Sequence, residues 1–296
     1  MQLALKIDVC TYAGMRHGVP ALLRLLDQLG VRASFFVACG PDHSGRAIRR
    51  VFRPGFVEKM WRTRAAQTYG WQTLLYGTLL PGPHIGRRCA GLLREIVAAG
   101  HELAVHGYNH VRWQDELGRL NAEAIRAELA AAWECVVDAT GCMPRAFGAP
   151  GWQCTALSLG CEDEWDLAYH SDTRGEEPYF ARIGERRFHT LEIPTTLPTL
   201  DETWGSVASD AEILRRWYSR RLRNGLNVYT AHAEMEGRDY EPFLRSFLQA
   251  ALTEGATVCR LIDVASQWAA AKTSPIVFGP IPGRAGNVAQ QGRTDE

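Results

Sequence analysis

The sequence lacks a C-x-x-C pair, a long apolar run and any excess of charge of one sign. Its eight cysteines are scattered, which argues against a disulfide framework and against a cysteine-rich zinc module. No apolar stretch approaches the ~18 residues that span a bilayer, and the N-terminus has no basic segment followed by an apolar one. Lys plus Arg and Asp plus Glu number 33 each, so charge indicates no nucleic-acid partner. We expect a cytoplasmic protein, and no protein partner is predicted.

A serine-hydrolase signature is absent as well, because no G-x-S-x-G elbow occurs. A cysteine nucleophile at Cys10 with a nearby histidine stays a minor alternative. Asp8, two residues away, would raise the pKa of that thiol rather than lower it. The remaining hydrolase chemistry to consider is metal-dependent.

What the sequence does contain is a regular alternation of short aliphatic or β-branched runs with longer amphipathic stretches. This alternation is typical of βαβ units and predicts a mostly parallel sheet. Strands are predicted at residues 3–9, 33–38, 102–106, 145–148, 167–170, 190–193, 227–231 and 257–260. Helices are predicted at residues 19–29, 86–99, 122–139, 210–223, 240–254 and 262–271.

Four polar residues fall at or just beyond the carboxyl ends of predicted strands, and they are Asp8, His106, Asp172 and His232. Catalytic groups of α/β barrels gather at that end of the strands, so a barrel accounts for their positions directly. A doubly wound open sheet is the alternative. It would need a glycine-rich first turn, and residues 11–14 match a phosphate-binding fingerprint poorly.

We predict a single domain over residues 1–272, interrupted by a basic amphipathic insertion at about 44–83. The insertion interleaves arginines, Arg49 and Arg53 among them, with aromatic and aliphatic residues. Such a composition suits a membrane surface or a phosphorylated lipid. An ordinary solvated helix pair packed on the domain is an equal alternative. Residues 273–296 are rich in Gly, Pro and Gln and are predicted to form a disordered tail.

Histidines provide the clearest indication of a metal site. His106 and His110 are one helical turn apart, so both imidazoles can face one ion if the segment turns after the strand. The spacing is a weak signal by itself, and a third ligand on a neighbouring strand end would strengthen it. His232 follows another strand and could protonate a leaving amine. Glu234 and Glu236 compete for a carboxylate role with less weight, because they lie past that strand.

The chain also carries a set of short motifs that are specific only in combination. They are Lys6-Ile-Asp-Val-Cys-Thr-Tyr12, residues 106–113, Ala149-Pro-Gly-Trp152, Tyr169-His-Ser-Asp-Thr-Arg-Gly175, Ile193-Pro-Thr-Thr-Leu-Pro-Thr199 and Tyr229-Thr-Ala-His-Ala-Glu234. Through them, residues 6 to about 262 resemble the polysaccharide deacetylase (NodB-homology) superfamily, and within it the deformylases of lipid-linked formamido-arabinose. The resemblance implies a distorted, incomplete (β/α) barrel with a divalent metal ion, zinc, cobalt or similar, at its mouth.

The activity that the resemblance implies is removal of the formyl group from 4-deoxy-4-formamido-L-arabinose on undecaprenyl phosphate, peripherally at the inner membrane. That step belongs to lipid A modification and polymyxin resistance. Asp8 would be the general base, and His106 and His110 would be metal ligands. His232 would protonate the departing amine, and Asp172 would orient or tune that histidine. The implied substrate contacts are Trp152, Tyr108, Arg49 and Arg53.

Two positions depart from the family pattern. Cys10 stands where an aspartate is expected, and the favoured interpretation is a thiolate metal ligand with Asp8 kept as the base. Alternatively, Asp8 binds the metal and no base remains, or the site is inactive and the chain only binds glycolipid. Gly148 stands where the superfamily has an arginine that orients the base, and Arg174 or Arg145 could substitute. An N-deacetylase of another amino sugar is the remaining alternative.

Overall fold

The structure, a computed structural model, describes residues 1–52 and 71–293. Its strands are β1 (Gln2–Val9), β2 (Ser34–Val37), β3 (Glu102–Val105), β4 (Ala146–Phe147), β5 (Tyr169–His170), β6 (Tyr179–Ile183), β7 (Arg186–Glu192), β8 (Leu226–His232), β9 (Thr257–Cys259), β10 (Thr273–Pro280) and β11 (Asn287–Gln291). Its α-helices are α1 (Val19–Leu29), α2 (Ile85–Arg88), α3 (Ala90–Ala98), α4 (His110–Glu116), α5 (Ala122–Thr140), α6 (Ala156–Glu162), α7 (Leu200–Thr203), α8 (Ala211–Ser219), α9 (Glu241–Thr253) and α10 (Leu261–Ala265).

Seven parallel strands form the centre of one mixed sheet, in the order β7-β5-β4-β3-β2-β1-β8. β6 continues the sheet antiparallel to β7, and β10 and β11 follow it at the outer end. β1 is buried at every residue after Gln2. A strand that is covered on both faces reads as a continuous buried run, and this one also buries two charged residues, Lys6 and Asp8.

The two ends of the parallel run approach each other without forming a complete barrel. The amides of Thr196 and Leu197, a few residues after β7, both donate to the carbonyl oxygen of Val228 in β8 at 3.1 Å. In return, the amide of Val228 donates to Oγ1 of Thr196 at 2.9 Å. This partial bridge confirms the predicted distorted, incomplete (β/α) barrel.

Helices cover the outer face of the sheet. In α1, the buried residues Val19, Leu22 and Leu25 lie on one side, as expected for an amphipathic helix. The helix ends at Gly30, which adopts a left-handed φ of 65° that glycine tolerates without steric cost. The long helix α5 is capped at its start by Asn121, whose side chain accepts from the amide of Ala124.

All eight predicted strands are present, with ends that differ by up to four residues. The helix predicted at residues 19–29 has the observed bounds. The one predicted at residues 86–99 is divided into α2 and α3 at Cys89, whose φ of −115° departs from helical geometry. Helices α4 and α6 and strand β6 were not predicted. They are short, and a short amphipathic segment carries little periodic signal.

The prediction of a disordered tail over residues 273–296 is wrong for its described part. β10 pairs in parallel with β6, and β11 pairs antiparallel with β10. Ile276, Val288 and Ala289 are buried in this outer part of the sheet. Average composition does not detect a few apolar residues at strand spacing, and the pairing with β6 supplies the backbone hydrogen bonds that order the segment.

Part of the predicted insertion, residues 53–70 with Arg53, lies outside the described residues. The described flanks include a 3-10 helix (Ser44–Phe52) and a short turn (Thr73–Leu75). Four large apolar side chains on these flanks are exposed, with Ile48 at 67%, Trp71 at 66%, Leu79 at 79% and Leu80 at 40%. Within residues 1–52 and 71–293, no helix has the length and apolar character needed to cross a bilayer.

Candidate active site

The candidate site lies at the carboxyl ends of β1, β3 and β8. β1 and β8 pair in a register that sets Asp8 opposite His232. His106 follows β3 directly, and His110 begins α4. Between them, Gly107 adopts a φ of 75°, a left-handed conformation that turns the chain sharply. As a result, the ring centroids of His106 and His110 lie 5.0 Å apart.

Cys10, His106 and His110 form a candidate metal site. One possible ligand atom from each lies within 4.8 Å of the other two. Nδ1 of His106 donates to the carbonyl oxygen of Gly148 at 2.7 Å, which leaves Nε2 facing Oδ2 of Asp8 at 3.8 Å. A ring nitrogen anchored on a backbone carbonyl is the usual support of a metal-ligating histidine.

The charge states of these three side chains fit a divalent metal better than a cysteine nucleophile. Burial lowers the pKa of His106 to about 4, and burial together with His106 lowers the pKa of His110. Both rings are therefore neutral, the form that binds a metal. Burial and the carboxylates of Glu234 and Asp8 raise the pKa of the Cys10 thiol. A protonated thiol is a poor nucleophile, whereas a metal ion would deprotonate it on binding.

A buried ammonium group faces Asp8. Lys6 is fully buried, and its Nζ lies 3.8 Å from Oδ1 of Asp8 and donates to the carbonyl oxygen of Ser171 at 2.8 Å. A β-carbon at Gly148 would lie 3.1 Å from that Nζ and 2.6 Å from Cδ1 of Phe36. Residue 148 therefore has no room for the family's arginine, and Lys6 supplies a positive charge from β1 instead.

The two arginines predicted as substitutes make other contacts. Arg174 donates to both carboxylate oxygens of Glu202, at 2.7 and 3.0 Å, and to the carbonyl oxygen of Leu197 at 2.9 Å. The Arg145 side chain is 58% exposed and lies 3.6 Å from Asp166. In the described part of the chain neither guanidinium contacts the base. The prediction that Arg174 orients it is wrong, because Glu202 holds that side chain.

Asp172 contacts other residues than His232, so the structure does not support an orienting role for it, and a role in tuning that histidine stays a prediction. The Asp172 carboxylate is fully buried, and its Oδ1 accepts from the amide of Ala149 at 2.7 Å. Its Oδ2 lies 3.2 Å from Nδ1 of His170. Both oxygens therefore contact residues at or next to the carboxyl ends of β4 and β5, and no contact with His232 occurs among the described residues.

His232 keeps a ring nitrogen available for proton transfer. Its Nδ1 is buried and has no hydrogen-bond partner in the described ranges. Its amide donates to Oε2 of Glu236 at 3.0 Å, while Oε1 of Glu234 accepts from the amides of Cys10 and Thr11 at 2.9 and 2.8 Å. The two glutamates therefore fix the backbone around the site.

The residues predicted to contact substrate are dispersed. The hydroxyl of Tyr108 lies 3.1 Å from Nε2 of His84 and is tied to that side chain. Arg49 is exposed on the 3-10 helix (Ser44–Phe52), and Arg53 lies outside the described residues. Contacts of Tyr108, Arg49 and Arg53 with a substrate stay predictions.

Trp152 lies between two guanidinium groups. The Cζ atoms of Arg174 and Arg284 are 5.0 and 4.3 Å from its ring centroid. With 2% of its surface exposed, the Trp152 side chain offers little area to a substrate, and its role there stays a prediction. Arg284 also brings positive charge toward Cys10 and His110. The position of Arg284 was not predicted, because the residue falls in the segment predicted to be disordered.

Comparisons with known proteins point to one family. A family model described as polysaccharide deacetylase matches residues 3–168, which include the three candidate ligands. A relative from Shewanella sediminis is 39% identical over 243 residues, covering 80% of this chain and 76% of the relative. One from Wigglesworthia glossinidia brevipalpis is 30% identical over 284 residues, covering 94% and 98%. Both carry the name 4-deoxy-4-formamido-L-arabinose-phosphoundecaprenol deformylase ArnD.

Two solved structures described as polysaccharide deacetylases share the fold. The one from Mycobacterium smegmatis has a TM-score of 0.61 at 20% identity and covers 90% of this chain and 89% of its own. The one from Pseudomonas aeruginosa PAO1 has a TM-score of 0.61 at 17% identity and covers 90% of each chain. At these identities the likeness concerns the fold alone.

Proposed function

Because this chain belongs to the polysaccharide deacetylase family, we propose that it is a metal-dependent hydrolase that deformylates 4-deoxy-4-formamido-L-arabinose linked to undecaprenyl phosphate. The observation that carries the proposal is the convergence of Cys10, His106 and His110 beside Asp8. The substrate is taken from the names of the relatives. The product would be a free amine, whose positive charge suits a role in lipid A modification and polymyxin resistance.

The donor set would hold a divalent ion such as zinc or cobalt. A thiolate and two neutral imidazoles suit such ions, and three protein ligands leave a position open. When bound at Cys10, His106 and His110, the ion would polarise the formyl carbonyl and lower the pKa of the attacking water. The protein's own residues would then handle the protons.

Asp8 is the proposed general base. Its Oδ2 lies 3.8 Å from Nε2 of His106, a candidate metal ligand, so this oxygen is placed to accept a proton from water at the site. The ammonium of Lys6, 3.8 Å away, faces the carboxylate and holds its orientation. His232, opposite Asp8 on β8, is the proposed acid that protonates the sugar nitrogen as the carbon–nitrogen bond breaks.

A turnover assay tests the proposal. We expect metal-replete protein to release formate and free amine from the lipid-linked formamido sugar in detergent micelles. His232→Ala should lower kcat by about 10²-fold or more, because a general acid typically contributes 10²–10⁴-fold. His189→Ala, which changes an exposed histidine on β7, is the matched control and should keep the full rate. Mass spectrometry of the lipid product measures the rates of both variants.

Each alternative function has its own outcome in this assay. Faster release from the N-acetyl analogue than from the formyl substrate would favour an N-deacetylase of another amino sugar. Saturable binding of the lipid without any turnover, in protein that carries its metal, would favour a catalytically impaired glycolipid-binding homologue.

We also propose that the exposed flanks of the insertion contact the membrane that carries the substrate. Ile48, Trp71 and Leu79 project large apolar surfaces, and the exposed Arg49 adds a positive charge beside them. Apolar side chains with neighbouring basic groups bind the interface of an anionic bilayer. The lipid carrier of the proposed substrate would then enter the site from the same surface.

Liposome flotation tests the membrane contact. We expect Ile48→Ser/Arg49→Glu/Leu79→Ser to reduce partitioning onto phosphatidylglycerol vesicles by at least about tenfold, since each basic residue near such a surface contributes about 1 kcal/mol. Ile213→Ser on α8, where the side chain is 56% exposed, is the matched control. Equal flotation of all three proteins would show that the insertion does not meet the membrane.

A further inference from the structure

A second group of potential metal ligands lies inside the protein. Glu162 ends α6, His170 ends β5, and Glu192 ends β7. Asp172 follows β5 by two residues. None of the four is more than 1% exposed. Three of them, Glu162, His170 and Asp172, offer ligand atoms that all lie within 4.8 Å of one another.

The ring of His170 presents one nitrogen to three carboxylates. Its Nδ1 lies 3.0 Å from Oε2 of Glu162 and 3.2 Å from Oδ2 of Asp172. Oε2 of Glu192 is 3.6 Å from the same nitrogen. Nε2 lies 3.2 Å from the carbonyl oxygen of Thr190, which can only accept a hydrogen bond. If Nε2 carries the proton, the lone pair of Nδ1 is directed at the carboxylates, as in metal-ligating histidines.

The spacing of these atoms suits a small cation. A tetrahedral site with metal–ligand distances of 2.0–2.2 Å has ligand–ligand edges of about 3.3–3.6 Å. Of the three distances from Nδ1, 3.6 Å equals the upper limit of that range, and 3.2 and 3.0 Å are shorter than its lower limit by 0.1 and 0.3 Å. The amides of Asp172 and Thr173 donate to Glu192, and the amide of Ala149 donates to Oδ1 of Asp172. The oxygens that face Nδ1 of His170 share that one nitrogen, whereas one ion can bind an oxygen from each carboxylate.

The cluster also has an excess of negative charge, because three carboxylates face a single imidazole. Oε1 of Glu162 is fully buried without a hydrogen-bond partner in the described part of the chain, on a carboxylate that already faces this cluster. Buried carboxylates are stable only when paired, protonated or bound to a metal.

We propose that Glu162, His170, Asp172 and Glu192 bind a second divalent cation of the zinc or manganese class, separate from the catalytic ion. Its role is structural, because the ligands are buried and join α6 to β5 and β7. The site does not depend on the proposed deformylase activity.

The second ion would also stabilise the position of His106, a ligand of the first site. Asp172 binds the cluster through Oδ2, and its Oδ1 accepts from the amide of Ala149. The residue before Ala149 is Gly148, whose carbonyl oxygen accepts from Nδ1 of His106 at 2.7 Å. A cation that fixes Asp172 therefore fixes the backbone that supports a ligand of the first site.

Metal counting tests the proposal. After purification in zinc and removal of loosely bound ions, we expect two ions per chain for the natural protein by elemental analysis. Glu162→Gln/Glu192→Gln, which preserves side-chain shape, should retain one ion, and His106→Ala/His110→Ala should retain the other. Glu176→Gln/Glu177→Gln, at exposed positions, is the matched control with two ions.

A chelator provides a second measurement. Adding it should lower the melting temperature of His106→Ala/His110→Ala more than that of Glu162→Gln/Glu192→Gln, because the latter variant has already lost the structural ion.

Two results would overturn the inference. One is a natural protein with a single ion that is lost completely from the His106→Ala/His110→Ala variant. The other is a Glu162→Gln/Glu192→Gln variant that still holds two ions. If that double variant does not fold, His170→Asn is counted in its place, since an amide can still donate to the Thr190 carbonyl. Failure of the catalytic proposal gives a different pattern, in which one ion remains in the His106/His110 variant and turnover is absent from every protein.

Discussion

Replacing Asp8 with asparagine is expected to lower kcat of deformylation by about 10³-fold, within the range of 10²–10⁴ that a general base contributes. The amide has nearly the same shape as the carboxylate, but it cannot accept the proton of water. The buried Lys6, 3.8 Å from Oδ1 of Asp8, keeps its hydrogen bond to the Ser171 carbonyl. Single-turnover kinetics and the metal content of the variant are the measurements.

The metal content decides between two roles for Asp8. If Asp8 is the base, the Asp8→Asn variant keeps its ion and loses rate. If Asp8 is a ligand instead, the variant loses affinity for the ion as well. A rate within tenfold of the natural protein would exclude both roles. Asp138→Asn, at an exposed position on α5, controls for the loss of one carboxylate.

Replacing Cys10 with alanine is expected to remove the catalytic ion and to lower activity by at least about 10²-fold, because the ion supplies several kcal/mol of transition-state stabilisation. Cys10→Asp should restore binding with a harder ligand. The preference should then move from zinc toward cobalt or manganese, since carboxylates suit harder ions than thiolates do. Titration of the metal-free proteins with each ion, followed by turnover, measures this change.

A matched control is available for the cysteine series. Cys142 is exposed, and Cys142→Ala should leave metal content and rate unchanged. Undiminished metal binding and rate in Cys10→Ala would show that the thiol is no ligand. If Cys10→Asp leaves both activity and metal preference untouched, the ligand assignment made here for Cys10 is wrong.

The strand-end rule explains how much of the site could be predicted. Parallel strands bring their carboxyl ends to one edge of the sheet, so Asp8, His106 and His232 could be grouped before any geometry was known. The same rule failed for Asp172, because position along a strand does not specify which neighbour a carboxylate faces. The suggestion of Arg174 as a substitute arginine failed for a different reason, because a long side chain can reach a partner such as Glu202 in several directions.

The role of Lys6 was not predicted, because it depends on the absence of an arginine at residue 148. A lysine inside an apolar run is expected to extend to solvent, and nothing local to β1 indicates that it is buried. The outer strands were missed for a related reason. β10 and β11 are ordered by pairing with β6, and this long-range effect leaves almost no trace in local composition.

The arrangement of Lys6 and Gly148 has an evolutionary consequence. A side chain at residue 148 would meet both Phe36 and the Lys6 ammonium, so an arginine there requires both neighbours to move. Loss of Lys6 alone would leave Asp8 without its cation. We therefore expect selection to act on these positions together, with an arginine at residue 148 accommodated only alongside changes at its neighbours.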